Sequence, residues 1–202
     1  MSRAVVEPQQ DRSRLTRERL LEAALASLAE SGWARTTVAT VAARAGVSRG
    51  AAQHHFPTHA DLVTAAIRHM ADVRLEEIRD AGRALPRPVR VRAVLDHLVR
   101  LYTGPLFTAA LHVWTEAAVD DELRSRVIPL EQVLAREAYR VAVTLLGVDG
   151  DDPHVRGVVS ATLDLARGLG LADVLTDDAG RRCRVLDAWA VQLERALGTP
   201  VG

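Results

Sequence analysis

Aromatic side chains are scarce in this sequence, at 3% of 202 residues, so leucine, valine and alanine must fill its core. Cysteine occurs once, at Cys183, which excludes an intrachain disulfide. Lysine and asparagine are absent, and all 26 basic residues are arginine. Strong phosphate contacts must therefore come from arginine, backbone amides, hydroxyls, glutamine or histidine. Net charge is lacking too, since 26 acids balance the arginines. The longest uncharged run, Leu101 to Thr115, falls short of the ~18–20 residues a membrane span needs. The opening MSRAVVEPQQDR has no apolar signal region, so the expectation is a cytoplasmic protein with no membrane partner.

Catalytic signatures are missing as well. There is no G-x-S-x-G elbow, no glycine-rich phosphate loop and no H-E-x-x-H. Gly168 and Gly170 lie in ARGLGLAD, without the strand context or third glycine of a dinucleotide site. Asp96 and His97 are adjacent, and adjacent helical residues do not face each other. His54, His55 and His59 have no cysteine or paired acid to complete a metal site. The expectation is no enzyme, no metal and no cofactor. A small all-α hydrolase is the alternative, and substrate turnover would favour it.

The arginines are unevenly spread. Residues 1–60 carry 8 Arg against 5 acids, and residues 61–202 carry 18 Arg against 21 acids. A basic head on an acidic body fits a DNA-contacting module joined to something that avoids DNA. Helical spacing recurs throughout, without strand alternation. Residues 1–12 read as a polar, disordered tail. From about Ser13 to Ser31, Leu20, Leu21, Ala24, Leu25 and Leu28 form one stripe, and Gly32 closes the helix. Thr36 or Thr37 caps a second helix, in which Val38, Val41, Ala42 and Ala45 repeat at helical spacing. Gly46 permits a left-handed turn, and Ser48 caps a third helix. These two short helices make a helix-turn-helix pattern.

Pro57 ends the third helix, and Thr58 caps a longer fourth one that Pro86 and Pro88 break. A fifth carries Val91, Val94, Leu95, Leu98, Leu101 and Tyr102, before a break at Gly104-Pro105. The sixth, LFTAALHVWTEAAV, is apolar nearly all round. The seventh runs from about Glu122 to Leu146, with a kink expected at Pro129. The eighth opens at Asp152-Pro153 and ends near Gly168 or Gly170; the ninth spans about Asp178 to Leu197. The prediction is an all-α chain of about nine helices. It comprises a tail (1–12), a helix-turn-helix DNA-binding head (13–59) and a longer helical body (60–202).

Residues 14–63 resemble the tetracycline-repressor-like (TetR-type) family of bacterial transcriptional regulators. The resemblance lies in Ala23-Ala24, Gly32-Trp33, Thr36-Thr37, the run Ala42 to Ser48, and His55-Phe56, in that order. The chain departs from the family pattern in two places. Ala52-Gln53 stands where the family commonly has Leu-Tyr, and His59 where it favours lysine. The resemblance implies that the last two helices pair with those of a second copy. On that basis Val155, Val159, Thr162, Leu163 and Ala166 form one dimer stripe, and Leu186, Trp189 and Leu193 another. In a monomer each stripe could instead cover the other.

The segment SRGAAQHH suits a recognition helix, whose first residues must reach base edges in the major groove. Gly50 and Ala51 would let the backbone approach. Arg49 can contact guanine in a bidentate manner, and Gln53 can read adenine or hold a phosphate. Ser48 and Thr37 can meet the DNA backbone or serve only as caps, and Gly50 can be merely a tolerated helix glycine. His54 and His59 are phosphate candidates, and Thr36, Arg44 and Thr58 complete the DNA-contact set. In the body, His97, Tyr102, Phe107, Leu111, His112, Trp114 and Tyr139 are candidate ligand residues or plain core. The expected protein is a homodimeric repressor on a near-palindromic double-stranded operator, released by a small, largely apolar effector. The fourth helix is the expected lever. The alternative within this class is a constitutive DNA binder without effector.

Overall fold

Short apolar repeats bounded by caps produce nine α-helices and no strand among the described residues, which are 8–84, 90–176 and 178–198 in this computed structural model. They are α1 (Pro8–Ser31), α2 (Val38–Ala45), α3 (Arg49–His55), α4 (His59–Ala84) and α5 (Val91–Arg100), then α6 (Gly104–Ala117), α7 (Asp121–Leu146), α8 (Pro153–Asp173) and α9 (Ala179–Leu197). A single 3-10 turn, Trp33–Arg35, lies between α1 and α2. The helices divide into two compact units, Met1–Met70 with Ala109–Val127, and Ala71–Thr108 with Ile128–Gly202. The division falls inside α4, α6 and α7, and so differs from the boundary expected after residue 59.

In the first unit, α1 turns Leu20, Ala24 and Leu28 inward at i, i+4 and i+8, all fully buried. Val41, Ala42 and Ala45 of α2, Ala52 of α3, Phe56 and Leu62 are buried with them. Each large apolar side chain removed from water here contributes roughly 1.5–3 kcal/mol before entropy is charged. Gly46 adopts φ 63° and ψ 35°, the left-handed conformation that lets α2 stop and α3 start at once. Arg19 of α1 donates to the Ala45 carbonyl at 2.6 Å, satisfying an acceptor at the end of α2.

In the second unit, α5 packs on both α8 and α9, and α8 packs on α9. Val91, Val94, Leu95, Leu98 and Val99 supply the buried stripe of α5. Gly170 of α8 lets the chain just beyond α5 come very close. A methyl group at Gly170 would lie 1.9 Å from the Tyr102 carbonyl oxygen.

Several boundaries correct the expectations. Residues 8–12, assigned to the tail, are helical, with Pro8 at a position where its missing N–H costs nothing; residues 1–7 lie outside the described residues. The helix break expected at Gly104-Pro105 separates α5 from α6, and the pair itself forms the first turn of α6. α7 spans Pro129 as a single helix, as expected, whereas α8 runs past Gly168 and Gly170 to Asp173. Pro86 and Pro88 lie outside the described residues.

Gly170→Ala should lower stability by roughly 1–3 kcal/mol through overpacking, moving the thermal midpoint down by several degrees. An unchanged midpoint in calorimetry would contradict the close approach.

Candidate nucleic-acid interface and cavity

α3 is capped by Ser48, whose Oγ accepts from the Ala51 amide at 3.2 Å. Ala52 and Phe56 point inward and are buried, and the Arg17 guanidinium sits 5.5 Å from the Phe56 ring centroid. The opposite face carries Arg49, Gly50, Gln53 and His54, all exposed. Their i, i+1, i+4, i+5 spacing gathers them on one side. Ala51 is half-buried at the edge of that face. A methyl group at Gly50 would meet nothing within 4 Å, so the glycine serves no packing inside the chain.

Thr37 caps α2 through a reciprocal pair. Its Oγ1 accepts from the Thr40 amide at 3.2 Å, while its own amide donates to Thr40 Oγ1 at 2.9 Å. It remains exposed. Thr58 caps α4 likewise, donating its hydroxyl to Asp61 Oδ2 at 2.7 Å and accepting from the Asp61 amide at 3.1 Å.

Three of the expected DNA contacts are engaged elsewhere. Thr36 is fully buried and donates its hydroxyl to the Gly32 carbonyl at 2.9 Å, so that hydroxyl is an internal bond and is corrected out of the contact set. His59 Nε2 donates to the Thr36 carbonyl at 2.8 Å, and its ring meets Trp33 edge-on at 5.7 Å. It braces the start of α4 rather than standing free. Arg44 holds Glu30 through two hydrogen bonds of 2.7 and 2.5 Å, a partner that any phosphate would have to displace. The pair is exposed and contributes little to stability. Burial, then His54 and Arg17, hold the neighbouring His55 below the usual imidazole range.

The second unit contains a cavity of about 710 Å³. One wall is the face of α7 bearing Arg136, Tyr139, Arg140 and Val143; the other is the face of α8 bearing Arg156, Leu163 and Arg167. Tyr102 also lines it. Tyr139 donates its hydroxyl to the Gly150 carbonyl at 2.8 Å, fixing the loop at one edge.

Of the expected ligand residues, only Tyr102 and Tyr139 line this cavity. Phe107 is buried and touches Tyr102 edge-on, with ring centroids 5.8 Å apart. His97 lines a separate recess of about 440 Å³, and its Nδ1 accepts from Arg100 at 2.8 Å. Leu111, His112 and Trp114 belong to the first unit, because α6 enters it at Ala109. The His112 ring lies against Gly32. The sequence reading missed the four arginines, although their signal was present: Arg136 and Arg140 share a face with Tyr139 and Val143, and Arg156 and Arg167 share one with Leu163.

The dimer stripes need correction too. Val155, Val159, Thr162, Leu163, Ala166, Leu186 and Leu193 are all buried within the single chain. Half-buried Trp189 donates its indole N–H to Thr162 Oγ1 at 3.1 Å. That bond joins α8 to α9, and α5 packs on both helices. The outer faces of α8 and α9 instead expose Gly157, Ala161, Ala188 and Gln192.

Two short helices joined by a tight turn, the second presenting a thin polar face, form a helix-turn-helix, the motif carried by a class of DNA-binding proteins. Residues 20–66 match the family described as bacterial regulatory proteins, tetR family. The chain is 28% identical over 185 residues to the HTH-type transcriptional regulator CymR of Pseudomonas putida, covering 88% of each. Among solved structures, a transcriptional regulator from Rhodococcus sp. Rha1 matches at a TM-score of 0.70 and 22% identity, over 92% of this chain and 99% of that one. Another, from Saccharomonospora viridis and in complex with choline, matches at 0.64 and 23% identity, over 90% and 95%. The chain is also 30% identical over 135 residues to an HTH-type transcriptional regulator of Mycobacterium tuberculosis, covering 66% of this chain and 67% of that one; it belongs to the tetR family and is a transcriptional regulator rather than an enzyme.

Because Gly50 has open space around it and a right-handed helical backbone, Gly50→Ala should raise stability by roughly 0.5–1 kcal/mol. Chemical denaturation checks this, and a loss of stability would mean that the site is packed.

Proposed function

We propose that the protein is a cytoplasmic, homodimeric repressor whose head, residues 13–59, reads a near-palindromic operator and whose body releases it when a small effector binds. The observation that carries the DNA reading is the outward face of α3, where a glycine with no packing role stands between Arg49 and Gln53. Bulk there would hold the helix out of the groove. Arg49 reads guanine, Gln53 reads adenine or holds a phosphate, and His54, Ser48 and Thr37 contact the backbone. Selection of bound sequences from a random DNA pool tests this. Arg49→Ala should relax one base position per half-site, at a cost of ~1–3 kcal/mol there. Gly50→Leu should weaken binding to every sequence. Wild-type behaviour of both variants would rule out α3 as the reading helix.

Dimerisation is typical of the family, and the two heads of a dimer would lie about one DNA turn, ~34–36 Å, or a multiple of it apart. We assign the contact to the outer faces of α8 and α9. Ala161→Arg should then yield a folded monomer by light scattering and lose tight DNA binding. Val159→Glu and Leu193→Glu, which place a charge in the single-chain core, should unfold the protein instead. If Ala161→Arg remains a dimer, the contact lies elsewhere.

The effector reading rests on the cavity, whose volume suits a small molecule. The similar solved structure from Saccharomonospora viridis is in complex with choline, which supports a small-molecule effector for this chain. α4, which supplies residues to both units, is the candidate lever. A ligand shifts the DNA equilibrium only through unequal affinity for the two states, and a coupling of ~1–3 kcal/mol lowers DNA affinity by ~5–150-fold. A ligand that fills the cavity and leaves DNA affinity unchanged would favour the constitutive reading.

A further inference from the structure

We infer that the effector is an organic acid, a carboxylate on an apolar body, held in the cavity between α7 and α8. This rests on the effector reading above and names its ligand class, replacing the largely apolar molecule expected from sequence. The cavity lining carries four arginines, Arg136, Arg140, Arg156 and Arg167, against two aspartates, Asp151 and Asp164. The pairing inside it is uneven. Arg167 meets Asp164 at 2.9 Å, and Arg140 turns to Glu137 at 2.6 Å. Arg156 reaches Asp151 only at 3.8 Å, across two exposed side chains. Arg136 makes no ion pair among the described residues.

A second observation, behind Tyr102, points the same way. Arg74 is only 6% exposed. Its Nη2 donates to the Leu101 carbonyl at 3.1 Å, while its Nη1 makes no hydrogen bond among the described residues. Its guanidinium carbon lies 5.8 Å from the Tyr102 ring centroid and 6.0 Å from that of Phe107. On Tyr102 it is joined by Arg167, at 5.3 Å. Two guanidinium groups thus converge on one ring that lines the cavity, with Glu131 the acid whose field also reaches it. Burying a cation without a carboxylate partner is costly, and an anion in the adjoining space offsets the cost. Burial pushes the Tyr102 phenol above its ordinary range, against the pull of Arg167 and Arg74, so it stays a neutral donor that a carboxylate can accept from. Val143, Leu163 and the Tyr139 ring offer apolar surface for the rest of the ligand. The same charges repel a quaternary ammonium.

The test uses the full chain and isothermal titration calorimetry. Octanoate and 2-naphthoate are each paired with the matching neutral alcohol, and choline is the cationic arm. At least one acid should bind at submillimolar concentration, about ten-fold or more tightly than its alcohol, since charge-assisted hydrogen bonds discriminate on that scale. Arg167→Gln should remove most of that preference while leaving the alcohol within about two-fold. Arg136→Gln, on the exposed rim, is the variant that leaves the fold intact, and should reduce the preference in the same sense. Arg181→Gln, outside the cavity, should change nothing. Equal affinity for acid and alcohol, preference for choline, no acid binding at millimolar concentration, or loss equally produced by Arg181→Gln overturns the proposal. DNA titration separates the two readings. An acid that binds through Arg167 and Arg136 without releasing DNA defeats the effector reading alone. An alcohol or choline that binds the cavity in preference and releases DNA defeats the acid assignment alone.

Discussion

The seven residues of α3 are too few to form a stable helix by themselves, so this element exists only because its inner side is anchored. Ala52 and Phe56 provide the anchor, buried in the first unit at 1% and 3% exposure. Ser48 satisfies an amide at its start, and Gly46 delivers the chain to that cap in one left-handed step. With the inner side held, the outer side has no choice of direction. Arg49, Gly50, Gln53 and His54 face away from the core because Ala52 and Phe56 face into it. The Arg19 bond to the Ala45 carbonyl and the His59 bond to the Thr36 carbonyl tie α1 and α4 to the same small region. The direction of this polar face is thus defined by the packing beneath it.

The second unit follows a different constraint. Gly170 brings the backbone at Tyr102 against α8, and Tyr102 in turn lines the cavity while Arg74 and Phe107 crowd it from behind. Scarcity of aromatics gives this ring unusual weight: Tyr102, Tyr139 and Phe107 are nearly half of the seven aromatic residues in the chain. Arginine takes over work that aromatic side chains do elsewhere, its planar guanidinium stacking on the few rings available while keeping its charge. A cavity built this way is polarised from the outset.

Absence of lysine has a similar effect in the head. With no flexible ammonium groups, phosphate contact falls to caps, amides, histidine and arginine, several of which already have partners inside the chain. Arg44 with Glu30 and Thr58 with Asp61 are examples. DNA affinity in such a head depends on how readily those internal partners release.

Local signals in the sequence determined the helices and the head. The caps at Thr36 or Thr37, Ser48 and Thr58 and the turn at Gly46 were legible because each depends on neighbours within a few residues, and the structure has caps at Thr37, Ser48 and Thr58 and the left-handed turn at Gly46. Periodicity shows that a face is apolar and leaves open what covers it. That limit explains the stripes of α8 and α9, which are buried within the single chain, where α5 packs on both helices. It also explains Leu111, His112 and Trp114, which share a helix with Phe107 and yet belong to a different unit. The brace formed by His59 and the convergence of Arg74 and Arg167 on Tyr102 join residues distant in the chain. Only tertiary structure decided these, because burial and charge environment are set by what packs alongside, and no local pattern encodes that neighbour.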